Sequence, residues 1–185
     1  MVTEKLTPVK KIYGVSINDR YNPIVEIEGE SVRMRGRSEL LIIKDNKIYL
    51  SKIKRGLCGN YDVPGGAWDE GENHSSSASR EAEEEARLKS KNVKYSGFYY
   101  VVKDQPHEWV KNNIDPQLQW SGYYTEVFIG EYDGIYTGEI ADIDKDELID
   151  TGKFYPIDEV YEELHPAHKR AIDEYIDLKN NRSIY

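Results

Sequence analysis

Alternating polar and apolar positions divide most of the chain into short β-type stretches. Arg33 to Ile43 alternates and then becomes a continuous apolar run, SELLIIK, as in a strand that passes from a half-covered to a fully covered place in a sheet. Lys44-Asp45-Asn46-Lys47 follows, and Asp45-Asn46 suits the positive φ angles of a tight hairpin. The return stretch KIYLSKI alternates again, with Ile48 and Leu50 inward. Upstream, KIYGVSI and PIVEIEG predict two short strands around a turn at Asn18–Pro23. Asn60 to Val63 predicts a short strand that stops at Pro64-Gly65-Gly66. Val93 to Val102 and Ser121 to Tyr132 predict longer strands, with a loop over Asp104–Gln119 between them, and Lys153–Pro156 predicts a last short one.

The period changes from two to 3.6 between Asn73 and Leu88, which predicts a helix capped by Asn73 or Ser75. Its faces sort cleanly. Ala78, Ala82 and Ala86 make a small apolar stripe that allows close approach to a sheet. Arg80, Glu83 and Arg87 make a charged outer row. Glu81, Glu84 and Glu85 fall at i, i+3 and i+4 on a further arc. Two more helices are predicted over Ile157–Leu164 and Ala167–Lys179, separated by Pro166. Strands, one helix, more strands and C-terminal helices imply an α/β fold with a mixed sheet between helices. The length of 185 residues fits a single domain over 1–185, with residues 1–30 extra to its core as added strands or as contacts in a homodimer.

Three carboxylates on one ridge, about 5–6 Å apart at Cβ, repel one another unless a cation sits between them. Gly66, Glu72, Arg80, Glu81, Glu84 and Glu85 stand at the fixed positions of the pattern G-x5-E-x7-R-E-U-x-E-E-x-G-U, where U is apolar. Ala82 and Leu88 fill the apolar places. Arg87 stands where the pattern has its last glycine, so the exit from the helix is expected to differ. This segment resembles the Nudix box, and the chain is similar to the Nudix hydrolases over it.

The resemblance implies an α/β/α sandwich and a hydrolase dependent on Mg²⁺, or on Mn²⁺ in its place. Carried over by position, the metal ligands are Glu84, Glu85 and the carbonyl of Gly65, with Glu81 a further ligand or the base that takes a proton from water. Glu72 and Arg80 are implied to pair and to brace the loop against the helix. A further catalytic acid is expected outside the box. Glu147 is the first choice, in DKDELIDTGKFYPIDEV, and Glu126 the second, with an ordinary solvated acid as the plain alternative.

Phosphate-binding groups are less local. Arg33, Arg35 and Arg37 alternate, so a strand puts them on one face, and Lys52 and Lys54 do the same at the end of KIYLSKIK. Arg35 and Lys52 are the favoured candidates, against a reading as solubilising edge charges. His165 and His168 lack a third ligand for zinc. Cys58 is the single cysteine, so no internal disulfide forms, and no neighbouring histidine marks it as a nucleophile. Trp109, Trp120, Tyr123 and Tyr124 offer ring faces to a nucleobase, or plain sheet packing.

A formal net charge of −9 argues against a general nucleic-acid scaffold, although a bound metal reverses the local field for a phosphorylated small molecule. The longest aliphatic run, Leu40–Ile43, is far short of a membrane span, and the first residues hold no apolar stretch of signal-peptide length; a cytoplasmic protein is expected. The substrate class expected is a nucleoside diphosphate derivative such as ADP-ribose, then a nucleoside triphosphate. Pro106, 18 residues past Leu88, does not settle between them. The alternative is a module that binds a nucleotide or phospho-sugar on this fold without cleaving it.

Overall fold

The apolar run at 40–43 lies in the middle of the main sheet, in strand β4 (Arg35–Lys44). The computed structural model describes residues 10–17, 20–27, 30–56, 59–103, 122–138 and 152–182. Strand β4 turns back into β5 (Lys47–Gly56), and Asp45 and Asn46 take φ angles of 47° and 59° at the predicted hairpin. On its other side β4 runs parallel to β9 (Gly122–Ile135), from Arg35 opposite Tyr123 to Ile43 opposite Glu131. Strand β9 pairs antiparallel with β8 (Leu88–Lys103), and β10 (Lys153–Pro156) adds to β5. The order is β10-β5-β4-β9-β8, with β6 (Gly59–Asp62) on β5 and β7 (Gly65–Ala67) on β4. One parallel pair among antiparallel ones makes the mixed sheet that the sequence implies.

The alternation along β4 creates the two outer layers. Leu40 and Ile42 face helix α1 (His74–Ala86) and pack on its buried Ala78 and Ala82. Leu41 and Ile43 face the opposite side, where Ile157 and Val160 of α2 (Ile157–Val160) and Ala171 and Ile172 of α3 (Pro166–Arg182) close the second core. Each aliphatic side chain fully removed from water contributes about 1.5–3 kcal/mol, so both faces of β4 hold the sandwich together. The stretch predicted as a helix over Ile157–Leu164 is one α-turn followed by a 3₁₀ turn at Tyr161–Glu163.

Helix α1 starts as expected: the Asn73 side chain accepts from the Ser76 amide at 2.9 Å. It ends at Ala86 rather than Leu88. Arg87 turns out of the helix at φ 57°, ψ 32°, with its amide bonded to the Ala82 carbonyl. Leu88 is therefore the first residue of β8, which begins well before the expected Val93. Arg87 thus takes the left-handed conformation that glycine adopts most readily at a helix exit.

Strands β1 (Lys10–Ile17), β2 (Arg20–Ile27) and β3 (Glu30–Arg33) form a second, antiparallel sheet. Arg20 to Pro23, expected in a turn, belong to β2. Pro23 stays in the ladder because its carbonyl still accepts from the Met34 amide at 2.9 Å. The added sheet is anchored where Val25 and Met34 bury against Trp68 and Tyr124. No helix among the described residues is long and apolar enough to cross a membrane.

Candidate active site

The pairing of β7 with β4 builds the centre. Glu39 lies opposite Gly65, Ser38 opposite Gly66 and Arg37 opposite Ala67. The Pro64-Gly65-Gly66 turn is thus clamped between β4 and the flank of α1. A Cβ on Gly66 would fall 2.2 Å from the Glu81 carboxylate, so only glycine leaves room for that acid. A Cβ on Gly65 would meet the Ser38 carbonyl and the Glu39 Cγ, each at 2.6 Å.

Arg80 binds Glu72 through two hydrogen bonds of 3.1 Å and the Ala67 carbonyl at 3.0 Å. This is the bracing pair that the sequence implies, in the bidentate form that fixes geometry best. The same guanidinium also donates to Glu81 at 2.8 Å and to Glu84 at 3.0 Å. Burial works against the Arg80 charge, but the bonds to Glu72 and the charge of Glu81 hold its pKa above the ordinary arginine value. Glu85 points to the other side of the turn and accepts from the Gly65 amide at 2.9 Å.

Glu81 and Glu85 therefore meet the glycine turn, and Arg80 holds Glu84 beside Glu81. Among the described residues, however, no group of three or more His, Cys, Asp or Glu side chains stands at metal-holding spacing in this arrangement. Burial raises the Glu81 pKa against the pull of Arg80, and Glu84 adds to the rise. Glu85 is exposed as a residue, while its carboxylate is held against the Gly65 amide. Burial there pushes it up to about 7 against the Gly65 amide, with Glu81 and Asp62 adding to the rise. Arg80 and Arg37 offset only part of that burial cost for these acids. Their hard oxygens, with the Gly65 carbonyl, form a donor set suited to Mg²⁺ or Mn²⁺.

Two β4 residues complete the surroundings. Arg37 donates to the Gly65 carbonyl at 3.1 Å and lies over the Tyr123 ring, 5.5 Å from its centre. Glu39 is 3 % exposed; Tyr100 donates to one of its oxygens at 2.6 Å and His168 to the other at 2.8 Å. Burial pushes Glu39 up, but the His168 hydrogen bond and charge, with Arg37 and Tyr100, bring its pKa below the ordinary value.

The sequence pointed to the arginine face of β4 but favoured Arg35 over Arg37. Arg37 is the one that reaches Gly65, because the β4–β7 register sets it next to the turn. Glu39 is not among the residues the sequence singles out, although a lone acid in SELLIIK is a signal of buried chemistry. His168 serves Glu39, and His165 stacks near Tyr100 at 4.2 Å between ring centres. The oxygens of Glu126 are taken by His74 at 2.7 Å and by the Tyr124 hydroxyl at 3.2 Å. Tyr124, at 5 % exposure, is core and not a base-stacking face. Glu147, Cys58, Pro106, Trp109 and Trp120, and the side chains of Lys52 and Lys54, lie outside the described residues. A depression of about 530 Å³ opens beside the start of α1, lined by Glu72, His74, Tyr95 and Glu126. It is shallow and set away from Glu85 and Gly65.

Among solved structures, the chain resembles a NUDIX hydrolase from Nitrosomonas europaea, with 21 % identity over 78 % of this chain and 89 % of that one, at a TM-score of 0.50. A MutT NUDIX hydrolase from Burkholderia pseudomallei matches with 20 % identity over 75 % and 95 % of the two chains, at a TM-score of 0.48. The first of these likenesses supports the α/β/α fold. No curated protein matches the chain. The sequence model of the NUDIX domain matches residues 31–175, which takes in the glycine turn, the whole of α1, β4 with Arg37 and Glu39, and α3 as far as Tyr175. The chain belongs to the NUDIX hydrolase family.

Proposed function

We propose that the protein is a Mg²⁺-dependent hydrolase that cleaves the diphosphate linkage of a nucleoside diphosphate derivative such as ADP-ribose, with nucleoside triphosphates the next class. The observation that carries this is the arrangement of Glu81 and Glu85 at the Gly65-Gly66 turn with Glu84 held beside Glu81, braced by the Glu72–Arg80 pair. Glu84, Glu85 and the Gly65 carbonyl, with Glu81, would hold the metal, and Mn²⁺ fits the same oxygens. When bound, a divalent ion supplies positive charge to the diphosphate oxygens and acidity to a water. Arg80 keeps Glu81 and Glu84 in place while Glu72 keeps Arg80 in place. Glu81 is a further ligand or the base that takes the proton from the attacking water, whose acidity the bound ion would raise. Water oxygen bonds to phosphorus as the bridging P–O bond breaks, giving two phosphorylated products. Glu147 is a further acid in this proposal, and Arg35 and Lys52 further contacts to phosphate. We place the protein in the cytoplasm as a single domain over 1–185, with residues 1–30 as an N-terminal addition to it.

The test is incubation with ADP-ribose, nucleotide sugars and nucleoside triphosphates, with and without Mg²⁺, reading released products. Glu85→Gln is expected to lower kcat at least about 100-fold, in the range of a lost acid–base or charge-stabilising group. Cleavage that survives that substitution, or needs no metal, rules the mechanism out. The engagement of both Glu81 and Glu84 by Arg80 favours a second reading, a module that binds without turnover. That reading predicts tight binding by calorimetry with the ligand recovered intact.

A further inference from the structure

Resting on that hydrolase reading, we propose that Arg37 is a ligand-exchange residue: it holds the Gly65 carbonyl in the free enzyme, gives it up when a divalent ion binds, and then receives a phosphate of the substrate. The first support is the state of its guanidinium. Among the described residues, its five N–H donors make one hydrogen bond, to Gly65. Among the described residues Arg37 forms no ion pair, although Glu39, Asp62 and Glu85 all act on its charge. Arg80 is the contrast within the same site, with Glu72, Glu81, Glu84 and Ala67 filling its donors.

The second support is why nothing captures Arg37. Glu39 is the nearest acid along its own strand face, but both Glu39 oxygens are held by Tyr100 and His168. Glu39 therefore offers Arg37 a favourable field without a direct bond. The guanidinium stays charged, local and largely unbonded, with the Tyr123 ring as its other neighbour.

The third support is the oxygen it occupies. The Gly65 carbonyl belongs to the donor set for the metal. A guanidinium and a divalent cation on one carbonyl oxygen repel strongly at that separation. A cation that takes the carbonyl displaces Arg37, and the diphosphate is the anion then at hand. The planar fork of arginine matches phosphate oxygens in pairs.

Two titrations on the full chain test this. MgCl₂ alone is titrated by calorimetry, followed by a methylene-bridged analogue of ADP-ribose, which cannot be cleaved, at saturating Mg²⁺. Arg37→Gln is expected to bind Mg²⁺ about tenfold more tightly than the native protein, because a competing charge is gone. It is expected to bind the analogue at least about tenfold more weakly. Arg37→Lys keeps the charge without the fork. It is expected to leave Mg²⁺ affinity near native and still weaken the analogue, and it decides the matter if Arg37→Gln does not fold. Unchanged or weaker Mg²⁺ binding by Arg37→Gln, or unchanged analogue affinity in either variant, overturns the proposal. Failure of the native protein to bind Mg²⁺ would instead overturn the hydrolase reading. Mg²⁺ binding lost in Glu85→Gln but unaltered in Arg37→Gln removes the role of Arg37 alone.

Discussion

Gly65 and Gly66 are neighbours, yet a methyl group added to each meets different matter. At Gly65 it strikes the Ser38 carbonyl at 2.6 Å and the Glu39 Cα at 3.0 Å, and backbone there has no route to yield. At Gly66 it strikes only the carboxylate of Glu81, the far end of a flexible side chain. Gly66→Ala should therefore cost little stability, within about 1–2 kcal/mol, because Glu81 can swing aside. Activity should fall much further, by at least about tenfold, since the displaced acid leaves Arg80 and the turn. Thermal unfolding beside kcat separates the two, and a variant that loses stability and activity in proportion would contradict this account. The box acids were legible because all of them sit within one helix, where spacing alone sets the face. Arg37 and Glu39 were not, since their roles depend on β4 meeting β7, a pairing 28 residues apart for Arg37 and Gly65 that no local pattern encodes.

At the scale of elements, the exit from α1 shows how tertiary contacts override a local preference. Arg87 at φ 57° carries a steric cost of about 1–2 kcal/mol that glycine would not. Contacts beyond the helix offset it: the Tyr136 amide donates to the Arg87 carbonyl at 2.9 Å, and the Arg87 guanidinium donates to Gly138 at 3.1 Å. Both partners follow β9 in the chain, so helix periodicity could not announce them, and the apolar pattern carried the predicted helix on to Leu88. Arg87→Gly should keep the same exit and raise stability by about 0.5–1 kcal/mol, the strain relieved less the extra freedom of glycine in the unfolded chain. Chemical denaturation measures it; a destabilised variant would mean that the Gly138 contact outweighs the strain. An end set by turn chemistry, such as the Asp45-Asn46 hairpin, is legible to the residue, and the helix cap is legible as Asn73 or Ser75, of which Asn73 is the one that bonds the Ser76 amide.

Across the whole molecule, α3 is tied to the active-site strand by the buried bond from His168 to Glu39, between residues 129 apart in sequence. His165 begins that helix, with its Nδ1 accepting from the Ala167 amide at 3.2 Å. Its ring packs beside Tyr100 and His168. Burial, and then the charge of His168, lower the His165 pKa from 6.5 to about 4, against the attraction of Glu39. Between those two pH values this ring binds more protons in the unfolded chain than in the folded one. Stability from this group is thus complete above pH 6.5 and drains away as pH falls toward 4, with a ceiling of about 3 kcal/mol, reduced because the ring is only half-buried. Glu39 works in the same sense at lower pH, since a carboxylate with a depressed pKa loses its contribution as acid protonates it. Glu85, pushed up to about 7, works in the opposite sense over much of the same window, so the His165 contribution is read as the difference between the native protein and a variant without the ring. His165→Asn removes the titrating ring and keeps a side-chain acceptor for the Ala167 amide. Between pH 6.5 and 4.5 the urea midpoint of the native protein should fall relative to that of the variant. Parallel courses in both would show that the closure of α3 over Tyr100 adds no sensitivity to acid.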